Sequence, residues 1–354
     1  VLEFLIEYGL FLAKAATVVV AVVIIISLGA SQKHKHSADK GHLEITPLNQ
    51  QFDDMSEAML IATMDESMQK AEEKKLHKAK KKQAKLDKKA HKADAEAEEE
   101  VKSRVFVLSF VGDVSASAVS HLREEVTAVL TQATSNDEVV VKLESPGGMV
   151  HSYGLASSQL DRVRQAKIPL TVCVDEVAAS GGYMMACVAD KILAAPFAVI
   201  GSIGVVAQMP NFSKVLKKND VDYEILTAGK YKRTMTMLGE NTDAARKKFV
   251  AELEEVHVLF KSHVSTMRPK VDIDKIATGE TWYGTQALDL ALVDGIQTSD
   301  DYLVTRSKEA RLFEVVFERK KKIHERLGLA AEQSADRLML KWWARLTQNS
   351  HKQL

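Results

Sequence analysis

Ile168-Pro169-Leu170-Thr171-Val172-Cys173-Val174-Asp175-Glu176-Val177-Ala178-Ala179-Ser180-Gly181-Gly182-Tyr183 passes from apolar to small to glycine-rich in one sweep. The apolar run reads as a buried strand, the acidic pair as a short turn, and the residues after Ser180 as the start of a helix. Ser180 therefore falls at a strand-to-helix junction, beside backbone N–H groups that the first turn of a helix leaves unpaired. A hydroxyl there can act as a nucleophile, and the adjacent N–H groups can hold the oxyanion it creates.

Outward from this stretch the alternation continues. Residues 105–110 and 139–143 read as strands, and residues 115–133 and 149–166 as the helices that follow them. Strand and helix in regular alternation predict an α/β domain with a parallel sheet wrapped by helices. Further strands are expected at 191–194, 205–208 and 223–226, and a long amphipathic helix at 242–267. Residues 177–208 are apolar enough to imitate a membrane span, but Asp190, Lys191, Pro196 and four glycines interrupt them. Central strands of a parallel sheet are buried on both faces and read as continuous apolar runs.

Composition divides the 354 residues into four regions. Residues 1–30 are expected to anchor the chain in a membrane: between residues 10 and 30 the only charge is Lys14, and AATVVVAVVIIISLGA fills residues 15–30. About 20 apolar residues span a bilayer core, and a lysine near one end can reach the interface. Residues 31–103 form a charged spacer, read as a solvated helix or a tether; residues 70–92 alone hold eleven lysines against three acids. Residues 104–310 are expected to form the globular body, and residues 311–354 a basic amphipathic tail with Trp342-Trp343 beside Lys341 and Arg345. Such a tail suits a membrane interface or a sister subunit.

Lys and Arg together balance Asp and Glu at 48 each, so no global field favours nucleic acid. Cys173 and Cys187 lie in apolar surroundings and read as core residues. No CxxC or Cys/His spacing points to a metal, and no cofactor is expected.

The hydroxyl of Ser180 needs a base. No histidine occurs between His151 and His257, which removes the usual partner. A lysine can serve if it is neutral, which requires its pKa to fall from about 10.4 to about 7–8, or roughly 4 kcal/mol. Burial in an apolar site supplies such a shift. Gly229-Lys230-Tyr231-Lys232-Arg233 offers Lys230 and Lys232, and composition does not choose between them. For the oxyanion, one donor is the N–H of Gly181. A second comes from Gly147-Gly148, in Ser145-Pro146-Gly147-Gly148 at the end of the neighbouring strand. Ligands of open parallel sheets bind outside those strand ends.

Glu144-Ser145-Pro146-Gly147-Gly148, Ala178-Ala179-Ser180-Gly181-Gly182-Tyr183, Gly201-Ser202-Ile203-Gly204-Val205 and Gly229-Lys230-Tyr231-Lys232 together resemble the signal peptide peptidase A family of serine proteases. Ala277-Thr278-Gly279-Glu280, Gln286-Ala287 and Leu292-Val293-Asp294 are similar to its closing motif. The resemblance covers residues 104–300 and implies a Ser–Lys dyad on a ClpP/crotonase-like fold. It places the nucleophile on Ser180, the general base on Lys232 rather than Lys230, and a lysine-orienting hydroxyl on Ser202. Gly148 and Gly181 supply the oxyanion N–H groups. The family also implies polypeptide substrates and ring-like homo-oligomers in a bacterial inner membrane. This chain has one catalytic repeat rather than a fused pair, so the dyad is expected complete within one chain.

Two other readings compete: a crotonase-like acyl-CoA enzyme on the related fold, and a membrane scaffold without activity. The side of the membrane is also open. Lys33, Lys35 and Lys40 against Glu3 and Glu7 place the body in the cytoplasm. The likeness to peptidases that digest signal peptides places it on the outer face.

Overall fold

The computed structural model describes residues 41–65 and 103–319, together with Lys14 and a few single positions between 68 and 78. Apart from those single positions, the anchor expected at 1–30, the lysine-rich stretch of the spacer and the chain beyond 319 lie outside the described residues. Among the described residues no helix is long and apolar enough to cross a membrane. The described residues between Leu43 and Glu318 form one compact unit.

Its strands in chain order are β1 (His42–Pro47), β2 (Arg104–Val111), β3 (Glu138–Glu144), β4 (Leu170–Val174), β5 (Val177–Ala179), β6 (Lys191–Ala194), β7 (Val199–Gly201), β8 (Thr281–Tyr283), β9 (Gly295–Ile296) and β10 (Arg311–Glu318). The helices that matter here are α1 (Leu48–Ala62), α2 (Val119–Leu130), α3 (Val150–Gln165), α4 (Gly181–Ala186), α5 (Ser213–Lys218), α6 (Asp243–Met267), α7 (Ile273–Ile276), α8 (Gly284–Asp289) and α9 (Ser299–Ser307). Seven strands make the main sheet in the order β1-β10-β2-β3-β4-β6-β9, and β5-β7-β8 make a second, smaller one. From β10 across to β9 every pair in the main sheet is parallel. In the small sheet β5 and β7 are parallel, and β7 and β8 antiparallel.

The alternation along each strand explains the two cores. Phe106, Leu108 and Phe110 of β2, Val139 and Val141 of β3, and Leu170 and Val172 of β4 face the larger core, packed with Tyr153, Leu160 and Tyr183. Val105, Val107, Val140 and Cys173 point to the opposite face, against Leu48, Tyr302, Leu303 and Leu312. A strand's side chains alternate faces, so a strand buried on both sides must be apolar at every position. All five residues of β4 are buried accordingly.

The structure departs from the sequence reading in three places. Within the stretch read as spacer, residues 42–62 form β1 and α1. Asn49 pins α1 to the body: its amide donates to the Ser307 and Ala310 carbonyls and accepts from the Leu312 N–H. Arg311–Glu318, grouped with the tail by composition, is β10, and its Leu312 and Val315 are buried. The strands expected at 205–208 and 223–226 are absent. Their apolar side chains lie outside the core, Val206 at 78% exposure and Leu226 at 92%. Apolar content imitated a buried strand where no neighbouring strand was available to pair.

Candidate active site

β3 and β5 carry the two glycine-containing turns to one place. The chain leaves β3 at Ser145, which bridges to Ala178 of β5; the Ala179 N–H donates to the Ser145 carbonyl at 3.0 Å. The Pro146-Gly147 turn then folds over the end of β5. A Cβ on Gly147 would stand 2.7 Å from both Ser180 Cβ and the Gly181 nitrogen, and Gly147 has φ +89°. Glycine is required twice over, by the backbone conformation and by the contact. Gly148 follows against Val114, whose carbonyl oxygen would lie 2.2 Å from an added Cβ.

Ser180 occupies the junction between β5 and α4 with φ 53° and ψ −118°. A non-glycine residue in that region costs about 1–3 kcal/mol, and such strain concentrates at functional positions. Two backbone bonds hold it there. The Ser180 N–H donates to the Gly201 carbonyl at 2.8 Å, and the Ser180 carbonyl accepts from the Met184 N–H at 3.0 Å. The residue is half-buried while Gly181, Gly182 and Tyr183 behind it are buried. α4 begins directly after Ser180, so its first-turn N–H groups lie at the same end.

Ser202 follows the carbonyl that holds Ser180. It too has a positive φ, 54°, and its N–H donates to the Glu280 carbonyl at 2.6 Å. Trp282 backs this turn: a Cβ on Gly201 would come within 2.8 Å of its ring. The fold thus brings Gly147, Ser180, Gly181 and Gly201 together, with Gly148 and Ser202 next along the chain.

Lys232 makes no bond to these residues. It is exposed in a turn closed by its own N–H on the Gly229 carbonyl at 3.1 Å. Among the described residues no hydrogen bond links Lys232 to Ser180 or Ser202. Lys230 lies over the Tyr231 ring at 5.1 Å, and Lys248 of α6 approaches the same ring at 5.7 Å.

Several groups near the site carry no role in the sequence reading. Tyr153 is fully buried on α3, its ring against Gly181 and its hydroxyl 2.7 Å from Ser145 Oγ. Burial pushes the Tyr153 hydroxyl above its ordinary value, so it stays protonated. Behind Ser180 the Tyr183 hydroxyl donates to the Leu292 carbonyl, tying α4 to Leu292-Val293-Asp294. Asp294 of that motif pairs with Arg268 at 2.8 Å and accepts from the Ile192 N–H. Asp175 accepts from the N–H and hydroxyl of Ser299, at the start of α9. The one hint to Tyr153 in the sequence was an aromatic hydroxyl at helical spacing from Ala156, Leu160 and Val163.

With the fold and this geometry established, comparison with known proteins gives the family. Residues 3–160 match the Peptidase family S49 N-terminal model and residues 162–312 the Peptidase family S49 model. The chain belongs to peptidase family S49. More particularly, it is 49% identical over 333 residues to the probable protease SohB of Haemophilus influenzae, covering 94% of each chain. It is 47% identical over 305 residues to the probable protease SohB of Buchnera aphidicola subsp. Schlechtendalia chinensis, covering 86% of this chain and 100% of the relative. A solved variant of the 1510-N membrane-bound stomatin-specific protease aligns with TM-score 0.37 and 15% identity, over 58% of this chain and 85% of that one.

Proposed function

We propose that this peptidase is a membrane-anchored serine endopeptidase on a ClpP/crotonase-like fold, acting through a Ser180–Lys232 dyad. The observation that carries the reading is Ser180 itself: a strained serine at the head of α4, with glycine backbone from two strand ends packed around it. Ser180 Oγ attacks the peptide carbonyl as its proton passes to Lys232 Nζ. The carbonyl oxygen becomes an oxyanion held by the N–H groups of Gly148 and Gly181. Collapse breaks the C–N bond, Lys232 returns the proton to the leaving amine, and water then releases the acyl group by the same route. Ser202 orients the amine without adding charge. The substrates are polypeptides, with signal peptides and unfolded membrane segments as candidates. The anchor holds the chain in an inner membrane.

Lys232 must be brought to Ser180, by movement of its exposed loop or by a second copy of the chain. Exposed apolar side chains through residues 205–241 favour homo-oligomers. In the detergent-solubilised full chain, Ser180→Ala and Lys232→Ala are each expected to abolish cleavage of an unfolded polypeptide. Retained turnover in either variant overturns the dyad. An equimolar mixture of the two separates the routes: recovered activity means that the lysine crosses between subunits.

A further inference from the structure

Ser145 and Tyr153 are fully buried hydroxyls beside the proposed oxyanion pocket, and neither touches the reacting atoms in the mechanism above. Their hydrogen bonds have a fixed direction. The Tyr153 hydroxyl donates to the Asp113 carbonyl at 2.8 Å, which uses its single proton. The 2.7 Å contact between Tyr153 and Ser145 must then carry the serine's proton. Ser145 Oγ is left with lone pairs alone on its other side, and there it accepts the Gly147 N–H at 3.1 Å. The relay runs one way, from Gly147 to Ser145 to Tyr153 to Asp113. Because the Gly147 N–H is committed inward, the donor this turn can offer a substrate is the next one, Gly148.

Sterics lock the same assembly. A Cβ on Gly112 would meet Ser145 Oγ and the Tyr153 hydroxyl, each at 2.4 Å. A Cβ on Gly181 would come within 2.4 Å of the Tyr153 ring, and one on Gly182 within 2.4 Å of the Ser145 carbonyl oxygen. One tyrosine thus touches both halves of the pocket, its hydroxyl through Ser145 and its ring on the first residue of α4.

We propose that Ser145 and Tyr153 are positioning residues that set the Gly148 and Gly181 N–H groups at the spacing one oxyanion needs. The proposal rests on the reading of Ser180 as the nucleophile. A donor aimed at the transition state changes turnover more than substrate affinity.

The test uses Ser145→Ala, Tyr153→Phe and the double variant in the full chain. Turnover is measured per active site titrated with a fluorophosphonate, alongside KM and hydrogen exchange of the peptide containing Gly147. Losing an oxyanion donor outright costs about 10²–10³ in kcat, so displacing one is expected to cost about tenfold in Tyr153→Phe and more in Ser145→Ala. KM should stay within about twofold, and Gly147 should exchange faster in both. The double variant should be no worse than Ser145→Ala, because the relay acts as a unit. A merely structural role would reduce the number of titratable sites and leave kcat per site intact; that result overturns the proposal, as does a multiplied loss in the double variant. Faster Gly147 exchange with unchanged turnover overturns the positioning role alone. A wild-type chain that cleaves nothing overturns the peptidase reading and the role with it.

Discussion

Gly147 is where a single methyl group decides the site. Its φ of +89° and a 2.7 Å approach to Ser180 Cβ leave no room for Ala. Gly147→Ala is expected to lower cleavage at least ~100-fold, the scale of a lost oxyanion donor. The turn abuts the larger core through Ser145 and Tyr153, so the melting temperature is measured alongside to separate lost activity from lost folding. Wild-type turnover in that variant would contradict the assigned geometry. The cysteines make the opposite case, since each is chemically silent. Burial pushes both the Cys173 and the Cys187 thiol up to about 12. A disulfide-exchange reagent at pH 8 should find no reactive thiol in the native body and two after denaturation. Their core placement was legible because small sulfur side chains in apolar runs are ordinarily buried. The partner of Ser180 was less legible. Lys230 and Lys232 share one loop and one chemistry, and only the family resemblance separates them.

Among the elements, the parallel strands were legible wherever an apolar run was bounded by turn residues, as in β2, β3, β4 and β6. The same logic failed at 205–208 and 223–226, because hydrophobicity says that a segment will be covered and not by what. α6 was recognisable from its period, yet its attachment was not. Arg268, just beyond its last residue, is 8% exposed and clamps Asp294 with paired bonds of 2.8 and 3.0 Å while donating to the Ala291 carbonyl. Arg268→Ala is expected to cost about 3 kcal/mol, since it strands a partly buried carboxylate. Burial alone would push Asp294 up; hydrogen bonds from Arg268 and the Ile192 N–H outweigh it and hold the group below the usual carboxylate range. A lowered folded value means stabilisation that is complete above about pH 4 and lost as pH falls through the folded value. Denaturant titrations across pH 5 to 2 should show that slope in the wild type and a shallower one in Arg268→Ala. An identical slope would assign the acid sensitivity to other groups.

For the molecule as a whole, the contrast is between a tightly packed sheet and the segment from 205 to 241. Within the described body, thermolysin, which cuts at apolar residues, is expected to nick the dilute chain in that segment before β2 to β4, since Leu226 is 92% exposed. Mass mapping of the first fragments checks this. First cuts inside β2 to β4 would contradict the described core. If copies assemble through this segment, protection should rise with protein concentration, and sedimentation should report the same transition.

The sequence by itself determined the alternation of strand and helix, the place of Ser180 at a strand-to-helix junction and the two glycine turns. These follow from local rules: apolar runs must be buried, and glycine marks close backbone approach or a positive φ. Tertiary structure alone decided that residues 42–47 and 311–318 extend the sheet beyond β2, because a strand is chosen by what it pairs with. It alone placed the buried Tyr153 hydroxyl beside Ser145, and set Lys232 in an exposed turn. Contacts between residues far apart in the chain depend on how the elements pack, and no local pattern encodes that.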